Sequence, residues 1–579
     1  MKEKEDRKLL SSKDIISKDI TYELLAIIKN KGNNRYGYLL KFISNVDVLL
    51  SSFEHIVRKD GYYSKGSDKQ ILSNVDIKYF ENLSRELNSG SYKPNPSRRV
   101  YISKPDGSKR PLGISCSRDK IVQQACMIAL SYIYESIFLE NSHGFRPYKS
   151  CHTAINYFKL HFTSTKWILN IDLKGCFDNI NHQKLISIIN ENVDDKGFEI
   201  LYWKMVTAGY IYRGTHFKTI EKGTPQGSIL SPILCNIFLN KLDIYLLDLK
   251  NEFDKGTEKR KNKSYRKLAV KEARKQFITS RDQMDTNFKR LNFVRYADDF
   301  IIGIDGSLSD AQLIGAKVEK FLKGELLFEI KRFTIKNFCQ EGDNFLGFTL
   351  KGWTTKSRKI INTKKGKQLV NHRPKVLIPT TKILNKLHEI GLVKKYSNHF
   401  RGTAYRKLVE HPLYNIVEYF NSVYRGIANY YCIAYNINTL RNLNYILKVS
   451  CCLTIALKMK LFTVSKVLKK YGRNVTINEN DSTIKFISYR KLKKPYFKSI
   501  EPFNLDNIIK FFSYGLRSKL KTNKGCENCG SSLNLSLHHF NPVRNINPKL
   551  KTLEKIKIKV GRQQILLCRE CHNKLHSAK

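Results

Sequence analysis

Asn292-Phe293-Val294-Arg295-Tyr296-Ala297-Asp298-Asp299-Phe300-Ile301-Ile302-Gly303 is the stretch whose reading decides the fold. Two adjacent carboxylates sit between two apolar, β-prone runs, which predicts a β-hairpin with the acids at its tip. In a tight turn at least one of them can point into a shared cleft. Paired carboxylates bind hard cations such as Mg²⁺, which takes one or two protein oxygens and keeps several waters. Two-metal phosphoryl transfer calls for a further carboxylate from another strand. Ile168-Leu169-Asn170-Ile171-Asp172-Leu173 supplies one, an apolar strand with a single acid. A solvated turn is the plain alternative for the Asp298–Asp299 pair taken alone, since Asp is common in turns.

Composition narrows the partner. The chain has 579 residues, with 103 Lys and Arg against 51 Asp and Glu and a formal net charge of +52. That excess is the footprint of a polyanion-binding protein. It is spread over the whole length, which suits a long nucleic acid. No uninterrupted apolar run reaches the roughly 18 residues of a membrane span, so no membrane partner is expected. Met1 to Leu10 is charged and carries acids, unlike a secretory signal or a transit peptide. The protein is therefore expected to work in the compartment where it is made. Thirteen cysteines are scattered, except for four in the last 54 residues. Those outside the cluster read as reduced, buried thiols. Richness in Lys, Asn, Ile and Tyr is compatible with an organelle genome or an AT-rich bacterium.

Other motifs stand around the hairpin in order. Residues 1–90 read as helical segments with loops. Arg98 to Ile114 reads strand, Pro105-Asp106-Gly107 turn, strand. Lys104, Lys109 and Arg110 fringe that turn and could close over a triphosphate; they would equally make the hairpin soluble. Helical patterns follow at Arg118–Leu139 and Ser150–Phe162, with His143-Gly144-Phe145-Arg146-Pro147 between them. Phe177 lies five residues past Asp172. Lys222-Gly223-Thr224-Pro225-Gln226-Gly227 is a Gly/Pro-punctuated loop leading into a helix over 233–247. Gly223 and Gly227 permit close backbone approach, and Gln226 offers donor and acceptor. Residues 250–290 read as a charged helical insertion; Lys255–Lys275 holds ten Lys/Arg and two Glu. Ala311–Leu322 reads as an amphipathic helix. Asn344 to Leu350 reads as one strand in which Gly347 allows close approach. Residues 375–496 read as mostly helical and very basic.

This order resembles the reverse transcriptases encoded by group II introns, of the maturase kind, from about residue 35 onward. The resemblance implies a multidomain α+β chain: right-hand polymerase fingers and palm, then a helical thumb/maturase domain, then a small zinc-stapled HNH module of the ββα-metal type. The implied boundaries are 1–90, extension and start of the fingers; 91–365, fingers and palm; 366–500, thumb and maturase domain; 501–522, a basic DNA-binding linker; 523–579, the HNH endonuclease. It implies that Asp172, Asp298 and Asp299 bind two Mg²⁺ for polymerisation. Lys104, Lys109, Arg110 and Gln226 would bind the deoxynucleoside triphosphate, and Phe177 would gate its sugar. Phe177 would otherwise be a core phenylalanine.

Cys526-Glu527-Asn528-Cys529 and Cys568-Arg569-Glu570-Cys571 form two Cys-x-x-Cys pairs 38 residues apart. Four thiolates so spaced predict a closed tetrahedral Zn²⁺ site. A segment this small lacks area for a core, so a metal staple makes sense. His538, His539, His572 and His576 lie nearby, the last two on one helix face by their spacing. By resemblance to the HNH endonucleases ending many such proteins, His538, His572 and His576 hold a catalytic divalent ion and His539 is the general base. The family places Asn nine residues before His572, where this chain has Gln563. The implied partners are intron RNA, target DNA and nucleotides; a homodimer is compatible. The implied location is a mitochondrion or plastid if organelle-encoded, otherwise the bacterial cytoplasm. The implied function joins reverse transcription, splicing assistance and homing by target-primed synthesis. A splicing-only maturase with a relic polymerase and a retron-type enzyme are the competing readings; the three palm acids oppose the first, and the maturase-like segment and HNH tail the second.

RNA affinity should fall about 10³-fold or more between about 50 and 200 mM salt, because counterion release scales with phosphates contacted. A dissociation constant unchanged across a salt titration would contradict the polyanion assignment.

Overall fold

The computed structural model describes residues 22–489 except 34, 58, 60, 62–63, 73–76, 104–106, 219–220, 224–226, 267–279, 283–284, 353–358, 364–365, 371–372, 398 and 480–481; beyond 489 it describes 528–529, 531, 535–539, 564–568, 570–571 and 573. Four strands form the sheet on which the site depends. They are β1 (Trp167–Leu173), β2 (Arg290–Tyr296), β3 (Asp299–Asp305) and β4 (Ile330–Asn337). Their order is β4-β1-β3-β2, and every pairing is antiparallel. β1 is apolar on both faces because both faces are covered.

Alternation along the strands feeds two cores. Leu169 and Ile171 of β1, Phe293 of β2, and Ile302 and Ile304 of β3 join one core. Among its helices are α1 (Ser117–Tyr134), α3 (Ser231–Phe253) and α4 (Leu308–Gly324). Ile168, Val294 and Ile301 point the other way, into a second core. That core holds α2 (Cys151–His161), Leu384 and Leu387 of the helix Thr380–Ile390, and three further C-terminal helices: α5 (Leu413–Tyr431), α6 (Leu440–Lys458) and α7 (Val464–Tyr471). Capping boxes at Ser150 and Ser307 start α2 and α4. Pro232 sits at the start of α3, where a missing N–H costs nothing.

Four sequence expectations differ from the structure. The helix expected over 118–139 ends at Tyr134, and the one expected over 233–247 runs from Ser231 to Phe253. The helical reading of 250–290 fails in the described residues past Phe253, except for one turn at Lys263–Arg266. Acids there serve backbone amides of loops instead: Asp254 accepts from Leu291, and Asp285 from Arg260 and Asn287. The single strand expected over 344–350 is a hairpin, Asp343–Phe345 paired with Phe348–Lys351. Leu346 and Gly347 form its two-residue turn with φ of 47° and 72°. Two successive positive φ values make a turn whose twist matches the strands it joins, which favours glycine.

The hairpin β2–β3 is anchored from below by Arg295, which is fully buried. Its guanidinium donates twice to the Asp243 carboxylate of α3, at 2.8 and 2.6 Å. It also donates to Asn236 Oδ1 (3.0 Å), Ser142 Oγ (2.8 Å) and the Ala297 carbonyl (2.9 Å). Its backbone N–H donates to the Asn141 carbonyl, and its carbonyl accepts from the His143 N–H. Removing one partner of such a pair leaves an uncompensated buried charge. Arg295→Leu should therefore destabilise the fold by about 3–5 kcal/mol, read by denaturant unfolding. The double change Arg295→Leu/Asp243→Leu should cost less than the single one; a double variant that is worse would show that shape, not charge, is what matters.

Candidate active site

Tyr296 pairs with Asp299, so Ala297 and Asp298 are the turn at the hairpin tip. Ala297 has φ 57°, an uncommon conformation for a residue with a Cβ. The Arg295 guanidinium bonded to its carbonyl holds it there. Asp298 is half-buried and Asp299, first residue of β3, is exposed to the cleft. Across the sheet Ile171 pairs with Phe300, which brings Asp172 beside Asp299 at the strand ends.

The three carboxylates feel one another. Burial raises the Asp298 carboxyl above the usual range, and the Asp172 charge adds to this, while Arg110 and Arg295 oppose it. Asp299 is pushed up to about 6 by burial, then by Asp298 and Asp172, against Arg332. Lys331 Nζ stands 3.4 Å from the Asp172 carboxylate, and Arg332 pairs with Asp172 across the sheet. Two acids with raised pKa, next to a third carboxylate, form a donor set suited to a hard divalent cation. Their oxygens do not gather as a group within 4.8 Å, a property that among the described residues only a cysteine cluster has.

The other expected residues surround the same cleft in part. The basic hairpin pairs Ser97–Ser103 with Lys109–Ile114. Lys109 and Arg110 are exposed on it, and Arg110 acts on Asp298 electrostatically. Phe177 lies in the helical turn Cys176–Asn179 that follows β1, half-buried. Its ring meets that of Phe145 edge-on, with centroids 6.3 Å apart. Gly223 N–H donates to the Ile180 carbonyl at 2.9 Å, tying the glycine loop to that turn. Gly227 has φ 106°, and a Cβ there would stand 2.7 Å from the Gly113 carbonyl of the basic hairpin. Loop and hairpin thus meet backbone to backbone, which only glycine allows. Lys104 and Gln226 lie outside the described residues.

A second constellation lies near the C-terminus. The sulfur atoms of Cys529, Cys568 and Cys571 all lie within 4.8 Å of one another. Cys529 and Cys568 are 3.6 Å apart and not disulfide-bonded. Sulfurs about 2.3 Å from one tetrahedral ion are about 3.8 Å apart, so the thiols fit zinc. Amide donors support them: Cys571 N–H to Cys568 Sγ, and Asn528 Nδ2 to Cys571 Sγ. His538 and His539 lie on the strand Leu535–His539, paired with Gln564–Cys568. Cys526, Gln563, His572 and His576 lie outside the described residues.

Sequence reasoning missed Arg295 with Asp243, Asn236 and Ser142, and also Lys331 and Arg332 beside the acids. An arginine inside the apolar run Phe293–Ile302 was the available signal for the first.

Comparison with known proteins adds the following. Residues 102–350 match the family model described as reverse transcriptase (RNA-dependent DNA polymerase), and 371–512 match type II intron maturase. The chain is 36% identical to the COX1/OXI3 intron 2 protein of Saccharomyces cerevisiae, over 95% of this chain and 67% of that protein. It is 32% identical to the group II intron-encoded protein LtrA of Lactococcus lactis subsp. cremoris, over 93% of this chain and 94% of that one. It is 33% identical to a 91 kDa protein in the cob intron of Schizosaccharomyces pombe, over 93% of this chain and 69% of that one. No helix among the described residues is long and apolar enough to cross a membrane.

Asp299 sets a pH dependence. Its folded pKa is raised from 3.8 to about 6, so it contributes stability to the metal-free fold below about pH 4 that is lost as pH rises through about 6. Between pH 7 and 5 the metal-free chain should gain stability relative to Asp299→Asn, seen as diverging denaturant midpoints. Mg²⁺ binding should run oppositely and weaken below pH 6, because protons compete for the carboxylate. Parallel midpoints for the two proteins would contradict the assignment.

Proposed function

The chain belongs to the reverse transcriptases and maturases encoded by group II introns, and from that premise we propose how its residues divide the work. The family activity is RNA-directed DNA polymerisation together with assistance to intron splicing. Asp172, Asp298 and Asp299 are the catalytic carboxylates and would hold two Mg²⁺. Bound there, the cations would lower the pKa of the attacking 3′-hydroxyl and neutralise charge on the departing pyrophosphate. The observation that carries this is the placement of all three acids at one end of one sheet, with Arg110 facing them. Arg110, Lys109 and Lys104 meet the triphosphate, Gln226 lies under the nucleotide, and Phe177 limits the sugar. The contacts of Gly223 and Gly227 support this assembly.

The chain takes the right-hand architecture: fingers and palm over 91–365, thumb and maturase domain over 366–500, and a basic linker over 501–522 that contacts target DNA. Residues 523–579 form the HNH endonuclease. Cys526, Cys529, Cys568 and Cys571 hold structural zinc; the gathered thiols support this. His538, His572 and His576 hold the cleaving ion, and His539 activates water. A nick in target DNA then primes cDNA synthesis on the intron RNA. Relatives from yeast introns and from a bacterial group II intron support a mitochondrial, plastid or bacterial setting.

Primer extension on an RNA template with Mg²⁺ is the direct test. Asp298→Ala should lose about 10³-fold or more in rate while retaining RNA affinity. If neither native chain nor variant makes cDNA while both bind structured RNA, the splicing-only reading replaces this one.

A further inference from the structure

The segment between α6 and α7 exposes an aromatic ring that the polymerase does not use. Phe462 is 81% exposed, more than any other large apolar residue described, and Tyr445 follows at 68%. Its apolar neighbours behave differently. Met459, Leu461 and Val464 all pack against the C-terminal core. The segment therefore has access to apolar cover, and Phe462 alone is turned away from it.

The backbone enforces this. The Thr463 N–H donates to the Leu461 carbonyl at 2.8 Å, closing a γ-turn around Phe462, whose φ is 62°. A γ-turn with positive φ is rare and strained, and for a phenylalanine such a φ is an outlier. Lys460, two residues earlier, also has positive φ, 53°. Both flanks are fixed: Leu461 N–H donates to the Ala456 carbonyl at 2.9 Å, and the Thr463 hydroxyl caps α7. Strain of this kind persists where the surroundings over-determine it, and it concentrates at ligand sites.

The surroundings define the ligand. From Leu457 to Asn478 the chain carries six Lys or Arg and no acid. Lys460, Lys466, Lys469, Lys470 and Arg473 are exposed. An exposed aromatic ring in a cationic stretch of chain fits a nucleic acid whose phosphates meet the cations and whose base meets the ring. A base in a duplex has both faces covered by its neighbours, so the ring requires an unpaired one.

We propose that Phe462 is a stacking platform for an unpaired base of the bound RNA, with the α7 lysines on the adjoining phosphates. The inference rests on the RNA-binding reading above and names a contact within it. The test compares the full native chain, Phe462→Ala and Phe462→Trp, each binding a hairpin RNA with an unpaired loop and a blunt RNA duplex of equal length, across a salt series. Phe462→Ala should weaken loop binding about 5- to 150-fold, the value of one base–aromatic stack. The slope of log affinity against log salt should stay unchanged, because no cation is lost. Duplex binding should not move. Phe462→Trp should recover loop binding, and its added fluorescence should be quenched by the loop RNA. Primer extension on a short template should stay native in both variants, confirming that they fold. Native loop affinity in Phe462→Ala, or equal losses on loop and duplex, would overturn the platform. Failure of the native chain to bind either RNA would instead overturn the RNA-binding reading itself.

Discussion

A guanidinium in the middle of an apolar core holds the acidic hairpin β2–β3 in place. Arg295 and Asp243 are both fully buried, and the arginine spends its donors on a carboxylate, an amide, a hydroxyl and a carbonyl. Such a pair is weak evidence of stability, since desolvation offsets most of the attraction. Its value here is geometric. A planar fork with fixed donor directions can satisfy those acceptors in one arrangement only. The arrangement joins β2, α3 and the segment at 141–143, and reaches the turn residue Ala297 itself. Asp298 sits on that turn and Asp299 directly after it, so their position follows from a contact beneath them.

Electrostatics above the hairpin runs against stability. Three carboxylates share one end of a sheet, two of them with raised pKa values. Arg110, Lys331 and Arg332 surround them within a chain of net charge +52. The cations attract phosphate and limit the repulsion. The acids remain under-neutralised, which is the condition for binding divalent ions rather than collapsing onto lysines. Local frustration of this sort is expected where binding, not folding, selected the residues.

Much of this was legible in sequence because it is local. Two apolar runs around paired acids can scarcely be anything but a hairpin, and the Asp172 strand announces itself by five apolar residues around one acid. What escaped is non-local or turns on competition. Arg295 finds Asp243 across 52 residues of chain, and no periodicity carries that. The turn at Leu346–Gly347 was hidden by apolar residues on both sides, which read as one continuous strand. The glycine was the sign of a turn, but a leucine with positive φ before it is rare enough to mislead. In the described part of the 250–290 segment past Phe253, acids bonded to loop amides stand where a helical pattern that rested on charge was expected.

That turn also joins the polymerase and maturase portions. Tyr430 and Tyr431 of α5 donate their hydroxyls to the Leu346 and Gly347 carbonyls, at 2.8 and 3.1 Å. The Tyr430 ring stacks on Phe348. The carbonyl of Tyr430 in turn meets His152 Nε2 of α2 at 2.7 Å. Tyr296, directly before the acidic turn, packs against the same core as these rings. A rigid, close-packed interior transmits displacement rather than absorbing it. A shift of α5 would therefore move the Leu346–Gly347 turn and press on β2, the strand that leads into the turn of Asp298. The C-terminal helices are thus packed continuously with the strand that leads to the carboxylates. The two activities share one core, so neither part can be repacked without consequence for the other.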